Sequence, residues 1–301
     1  MATTFKNFQS NDLANTRTLL HEAIPITGSI VSGTYADENV KTYGHGMFSS
    51  VYDYPFLSSS ANHIFDTTFG VSNTSNVSAS ITSQQAKKVN IYNQMAQYLV
   101  GYDDTGNIKK FVIPDGNTTL NDAIFVPFSR LLSKDEIKKG SFTLELGVSG
   151  GVNSIYAGAV FDKRIKLIDE SGSNGYFVDS PAGEYGVLYA STSASPPSTI
   201  QLSLVNGESS AHNTRVPVGL LYYQAGIAVI SGSVLNTTSS GGILKNLNNT
   251  EGVASQGLVM GSHDGTGTRF GGTGFATITG STNDVMSSGI RNRIYNISFN
   301  N

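Results

Sequence analysis

The sequence predicts a mainly β protein, an antiparallel sandwich or barrel-like arrangement. Three features lead there. Short apolar segments in extended-strand patterns far outnumber helical ones and recur between Gly, Asn, Ser and Pro. Aromatic residues reach 10%, with 15 Phe and 14 Tyr, types that suit a pleated surface. Charged residues fill only 14% of the 301 positions, against about 25% in ordinary globular chains. Polarity therefore rests on Ser, Thr, Asn and Gly, the residues of turns.

Residues 1–16 are polar and are expected to form an extended N-terminal arm. A β-rich body, 17–190, follows. It opens with Ile24, Ile26 and Ile30 in short extended pieces broken by Pro25, Gly28 and Gly33. The stretch YGHGMFSSVYDYPFLSSSANHIFD, Tyr43–Asp66, reads as a packed loop between strands. In that reading His45 and His63 are structural hydrogen-bonding residues, and Tyr52, Tyr54 and Phe56 are packing or interface anchors.

One amphipathic helix is predicted near 84–100. Ala86, Val89, Tyr92, Ala96 and Leu99 recur at steps of three and four, with Lys87 and Lys88 on the opposite face. Tyr92 and Leu99 are expected to anchor the buried side, and Gly101 to end the helix. A short helix is predicted near 134–139, because Ser133 and Glu136 have capping-box spacing and Lys138, Lys139 and Gly140 follow. Phe142, Leu144, Leu146 and Val148 then alternate with small or polar residues, the pattern of a half-buried strand.

Further strands are expected at IKKFVI (108–113), DAIFVPF (122–128), RIKLID (164–169) and YGVLYA (185–190). Others are expected at TIQLSLV (199–205), GLVMG (257–261), FATITG (275–280) and RIYNISF (293–299). Val218–Ile230 reads as a hairpin or one bent strand around Gly226, with Tyr222 and Tyr223 as anchors. The Pro- and Ser-rich segment Ser191–Thr199 marks a boundary. Beyond it, 199–301 is a Gly-, Ser- and Asn-rich, β-rich C-terminal part, either separate from the body or continuous with it.

Composition also narrows the partners. A net charge of −3 with only 19 Lys and Arg offers no electrostatic footprint for nucleic acid or an anionic membrane. The chain has no Cys, which excludes disulfides and thiolate metal sites. The most apolar run, Val218–Ile230, is too short to cross a bilayer, and MATTFKNFQSND has no secretory h-region. The chain reads as soluble and made in a cytoplasm.

Several strings admit a chemistry beside a plainer reading. GVSGG, Gly147–Gly151, matches a nucleophile elbow with Ser149 as nucleophile, His212 or His263 as base and Asp169 or Glu170 as orienting acid. No helical pattern follows it, so a Gly-Ser turn is favoured. His63 and Asp66 with His45 could converge on a metal, but no second His stands at ligand spacing on a predicted helix. DDTGN, Asp103–Asn107, lacks the alternating acidic frame of a calcium loop and reads as a turn. HDGTGTRFGGTG, from His263, has no G-K-[ST]. No catalytic residue, cofactor or metal is expected. The tyrosine-rich strings could stack on sugar rings, but core and interface packing is favoured.

Long strings carry a family likeness. They are Thr16–Tyr35, His45–Asp66, Lys87–Asp103, Phe128–Gly147, Ser180–Ala190 and Gly219–Ile230. Together they resemble a virion structural protein of contractile-tailed phages, the myoviruses of marine cyanobacteria and related marine bacteria. The likeness runs from about residue 10 to 235. It implies a particle component and not an enzyme. The expected role is a homo-oligomeric part at the neck or the tail and baseplate, contacting copies of itself and other virion proteins, and located in the virion after synthesis in the host cytoplasm. The alternative is a receptor- or glycan-binding adhesin, a fibre or capsid-surface decoration.

Overall fold

The structure, a computed structural model, describes residues 23–24, 39–43, 48–75, 83–150, 161–170, 175–192, 215–232 and 294–300. The predicted arm 1–16, the strands predicted at 199–205, 257–261 and 275–280, and His45, His212 and His263 lie outside the described residues.

The elements in chain order are β1 (Ala23–Ile24), β2 (Val40–Thr42), β3 (Ser49–Tyr52), β4 (His63–Val71), α1 (Ser83–Leu99), β5 (Val112–Ile113), β6 (Thr118–Thr119) and β7 (Asp122–Pro127). After them come α2 (Arg130–Ser133), β8 (Thr143–Gly150), β9 (Phe161–Asp169), β10 (Tyr185–Thr192), β11 (Arg215–Tyr222), β12 (Ile227–Ser231) and β13 (Ile294–Ser298). β5 pairs with β6 alone. The other strands form one 11-stranded antiparallel sheet in the order β1-β13-β8-β9-β10-β11-β12-β7-β4-β3-β2. β11, β12 and β13 follow the Ser191–Thr199 segment in sequence, yet they pair with β10, β7 and β8. The sheet therefore continues across the boundary seen in the sequence.

The middle strands are apolar on both faces, because the sheet is covered on both. In β7, Ile124 and Val126 point to an inner core and Ala123 and Phe125 to an outer one. In β12, Ala228 and Ile230 point in while Ile227 and Val229 point out. Phe125 faces Val229 and Ile124 faces Ile230 across the β7–β12 pair, so like sides meet like. β11 keeps this alternation with a β-bulge. Leu188 faces Gly219 and Tyr189 faces Pro217, which leaves Val218 as the extra residue beside a proline that has no N–H to give.

The inner core forms because the sheet curls. Five strand spacings separate β8 from β7, about 24 Å in a flat sheet. Yet the rings of Phe142, just before β8, and Phe128, just after β7, have centroids 5.6 Å apart, with Phe299 beyond β13 at 5.3 Å from Phe128. Only a strongly curled sheet brings these positions together. Val40 and Val51 from one end of the sheet share that core with Ile294 and Ile297 from the other.

The outer core lies under α1. Tyr92, Ala96 and Leu99 are buried as predicted, but Ala86 is exposed. Lys88, expected on the solvent face, is only 2% exposed, with its ammonium 4.1 Å from the centroid of the Phe69 ring. The helix sits so close to β4 that its flank is enclosed as well as its apolar stripe. Gly70 makes this approach: a Cβ there would stand 2.7 Å from the Tyr92 N and 2.9 Å from its Cα.

The short helix predicted near 134–139 is not formed. Its place is taken by α2, Arg130–Ser133, which Lys134 ends at φ 48. A single helical turn is poor at holding itself together, and residues 134–140 have better partners elsewhere. The Ile137 N–H donates to the Tyr223 carbonyl at 3.0 Å and the Lys138 N–H to the Asn300 carbonyl at 2.7 Å. The Gly140 N–H donates to the Asp169 Oδ2 at 2.7 Å, and the Lys139 ammonium reaches Glu184 at 2.5 Å. Of the two readings of Val218–Ile230 the structure forms the hairpin, β11–β12, with Gly226 turning it at φ 64.

Gly70→Ala should destabilise the protein by roughly 1–3 kcal/mol, because the added methyl meets helix backbone that cannot step aside. Urea denaturation measures this. A midpoint equal to or above wild type would show that α1 is not seated on Gly70.

Candidate functional site

Two places bring functional side chains together. The first is the β3–β4 hairpin, in the stretch read from sequence as a packed loop. It contains two paired strands, with Ser50 opposite Asp66 and Tyr52 opposite His63. The neck of the connecting loop is clamped. Asp53 Oδ1 accepts the Asn62 backbone N–H at 2.6 Å, and Oδ2 accepts the Asn62 side-chain amide at 2.9 Å. The Asp53 N–H returns a bond to the Asn62 carbonyl at 3.1 Å. Above this clamp Tyr54 is 60% exposed and Leu57 is 87% exposed, while Phe56 stays half-buried against Tyr52 with centroids 6.5 Å apart.

Beneath the clamp, Ser50, His63 and Asp66 meet. The Ser50 hydroxyl donates to Asp66 Oδ1 at 2.5 Å, and His63 Nε2 lies 2.8 Å from the same oxygen. The order is carboxylate in the middle. A nucleophilic triad needs the imidazole between hydroxyl and carboxylate, so this cluster ties β3 to β4 and does not activate Ser50. Among the described residues no group of three or more His, Asp or Glu side chains forms a metal cluster here.

The second place is a groove of about 1100 Å³ on the outer face, past the C-terminal end of α1. The β5–β6 pair and the loop before β10 flank it. Three phenols converge on its floor. Burial pushes each of them well above the ordinary phenol range, so all three remain protonated donors at neutral pH. Tyr92 donates to the Leu120 carbonyl at 2.5 Å and accepts the Phe111 N–H at 3.2 Å. Tyr185 donates to Asp179 Oδ1 at 2.8 Å and lies 5.2 Å from the Tyr222 ring. The Tyr222 hydroxyl has no hydrogen-bond partner among the described residues.

The rim is the DDTGN turn. Asp103 Oδ1 accepts from the Thr105 N–H at 2.9 Å, the Thr105 hydroxyl at 2.7 Å and the Asn107 N–H at 2.8 Å. The Thr105 hydroxyl, then the Asn107 N–H, hold the Asp103 carboxyl below its usual range. The carboxylate thus organises its own turn. Tyr102 stands beside it, half exposed, accepting a bond from the Gln97 amide.

The anchors named from sequence separate into two groups. Tyr92, Leu99, Tyr222 and Tyr223 are buried within the chain, and the Tyr223 hydroxyl donates to the buried Asp169 at 3.1 Å. Tyr52 and Phe56 are half-buried, and Tyr54 is exposed. Ser149 lies inside β8, opposite Lys163 of β9, where an elbow would require a turn into a helix. Sequence reasoning did not find Asp179 and Asn93 in the groove. Tyr92, Tyr222 and the Asp103–Asn107 turn, each singled out in the sequence, line the groove, but nothing in their spacing says that they meet.

His63 is expected to titrate with the hairpin. Its hydrogen bond to Asp66 outweighs burial and holds its pKa above the ordinary 6.5. A raised folded-state value means protonation favours the folded form. That contribution is complete below pH 6.5 and is lost as pH rises through the raised value. The stability gap between wild type and His63→Gln should be widest in mild acid and shrink above neutrality, as read by urea denaturation across a pH series. A gap that does not change with pH would remove the assignment. Compared with protein-family models, curated proteins and solved structures, the chain matches none, so its sites rest on their own geometry.

Proposed function

We propose that the protein is a structural component of a contractile-tailed phage virion, assembling as a homo-oligomer at the neck or the tail and baseplate. The observation that carries this reading is the clamped β3–β4 hairpin. A loop that holds Tyr54 and Leu57 in water on a preorganised neck loses little entropy when it inserts into a neighbour. Full burial of Leu57 there would contribute roughly 1.5–3 kcal/mol per contact, multiplied around a ring of subunits. The surface around it is poor in charge and rich in Ser, Thr and Asn, which is cheap to desolvate against a copy. The strings that resemble a virion structural protein support the same reading.

Leu57→Asp should abolish the oligomer while leaving the unfolding free energy of the monomer within about 1 kcal/mol of wild type, since Leu57 makes little contact within its own chain. Analytical ultracentrifugation with thermal denaturation reads both. The virion assignment is tested by locating the protein's density in purified particles. Recovery from infected cells but never from particles would sink it.

A further inference from the structure

We propose that the groove floored by Tyr92, Tyr185 and Tyr222 binds a neutral oligosaccharide. Tyr222 is only 1% exposed, yet its hydroxyl has no partner among the described residues. It is not among the sealed side-chain atoms left unsatisfied, which are Asn39 Oδ1 and Thr67 Oγ1. The hydroxyl therefore opens into the groove that its side chain lines. A buried phenol held this way is served by whatever occupies the groove.

The groups around it offer hydrogen bonds of both senses. Asp179 uses Oδ1 for Tyr185 and leaves Oδ2 open as an acceptor. The Asn93 amide, also on the groove wall, is uncommitted among the described residues and can donate and accept. A sugar hydroxyl likewise both donates and accepts, so it satisfies all three partners. Charge narrows the ligand further. Asp103 and Asp179 are balanced by Lys109 and Lys110 along the same groove. An anion would meet the Asp179 carboxylate at the floor, and a cation would meet the lysine pair at the rim. A neutral, hydroxyl-rich ligand meets neither penalty.

The rim adds an apolar contact. Tyr102 is half exposed, and the Gln97 amide bonded to its hydroxyl fixes the ring. Such a ring can pack against the C–H face of a sugar. A volume of about 1100 Å³ lies just above the range of ordinary small-ligand sites, which fits more than one sugar unit. Binding by the soluble chain does not depend on where the protein sits in a particle.

The test is isothermal titration of the full chain with maltotriose, cellotriose and N-acetylglucosamine trimer at millimolar concentration, with inorganic phosphate as the anionic control. At least one trisaccharide should bind, and phosphate should not compete. Tyr222→Phe should weaken that binding roughly tenfold, because it removes only the hydroxyl the ligand uses. Its thermal midpoint should not fall, since that hydroxyl has no partner among the described residues. Tyr102→Ala should weaken binding as well. Failure of all three sugars to bind would overturn the proposal. So would phosphate displacing a bound sugar, or equal affinity in wild type, Tyr222→Phe and Tyr102→Ala.

Discussion

The outer half of the molecule depends on how closely the backbone of Tyr92 can approach Gly70. At any other residue type the helix would be lifted off β4 by a methyl group, and Phe69 would no longer cover Lys88. With the helix seated, the Tyr92 ring reaches down between Phe111 and Phe125, at centroid distances of 5.4 and 6.4 Å. Its hydroxyl then ties the segments on either side of the β5–β6 pair together, through Phe111 and Leu120. One close approach thus fixes the helix, the small two-stranded unit and one wall of the groove. Lost packing at this point would spread to all of them.

The inner half depends on curvature. A flat sheet of this width would leave one face of β8, β9 and β13 open to water. Curling lets Phe128, Phe142 and Phe299 close that face, with ring pairs in tilted and edge contacts that add to simple burial. The seam is also polar where it must be. Asp169 is buried at the end of β9 and accepts from Gly140 and Tyr223, so strands distant in sequence are joined by charge-assisted bonds with little access to water.

Where two faces differ, the sequence showed which residues are buried; where both are covered, it located the strands but not the core that each residue serves. The strict alternation at Phe142–Val148 and the step of three and four at Tyr92, Ala96 and Leu99 located β8 and α1. Asp122–Pro127 and Ile227–Ser231 read as apolar runs, and nothing local says that alternate residues serve two different cores. Lys88 was misplaced because helical periodicity describes a stripe against one surface, and this helix is sunk deep enough to enclose a flank. The short helix near 134–139 was misplaced for a related reason. Its capping signals are real, but the carbonyls of Tyr223 and Asn300 win its N–H groups, and those lie far away in sequence. The hairpin at Tyr52–His63 was hidden by its serines and its proline. Its aromatic residues were visible as anchors, but which of them faces outward follows from the Asp53–Asn62 clamp, which spacing alone does not reveal. The groove was least legible, because α1, the Asp103 turn and the loop before β10 meet only in space.

The order of strands also carries a consequence for synthesis. β13, from residues 294–298, lies between β1, from residues 23–24, and β8. The early strand has no neighbour on that side until the late one has left the ribosome. Closing such long loops is entropically costly and slow, as in other topologies dominated by distant pairings. During translation the inner core therefore waits with Phe128 and Phe142 uncovered and the β8 edge unpaired. The nascent chain must be shielded or fast enough to avoid sticking to its siblings, a hazard that grows with the concentration at which it is made.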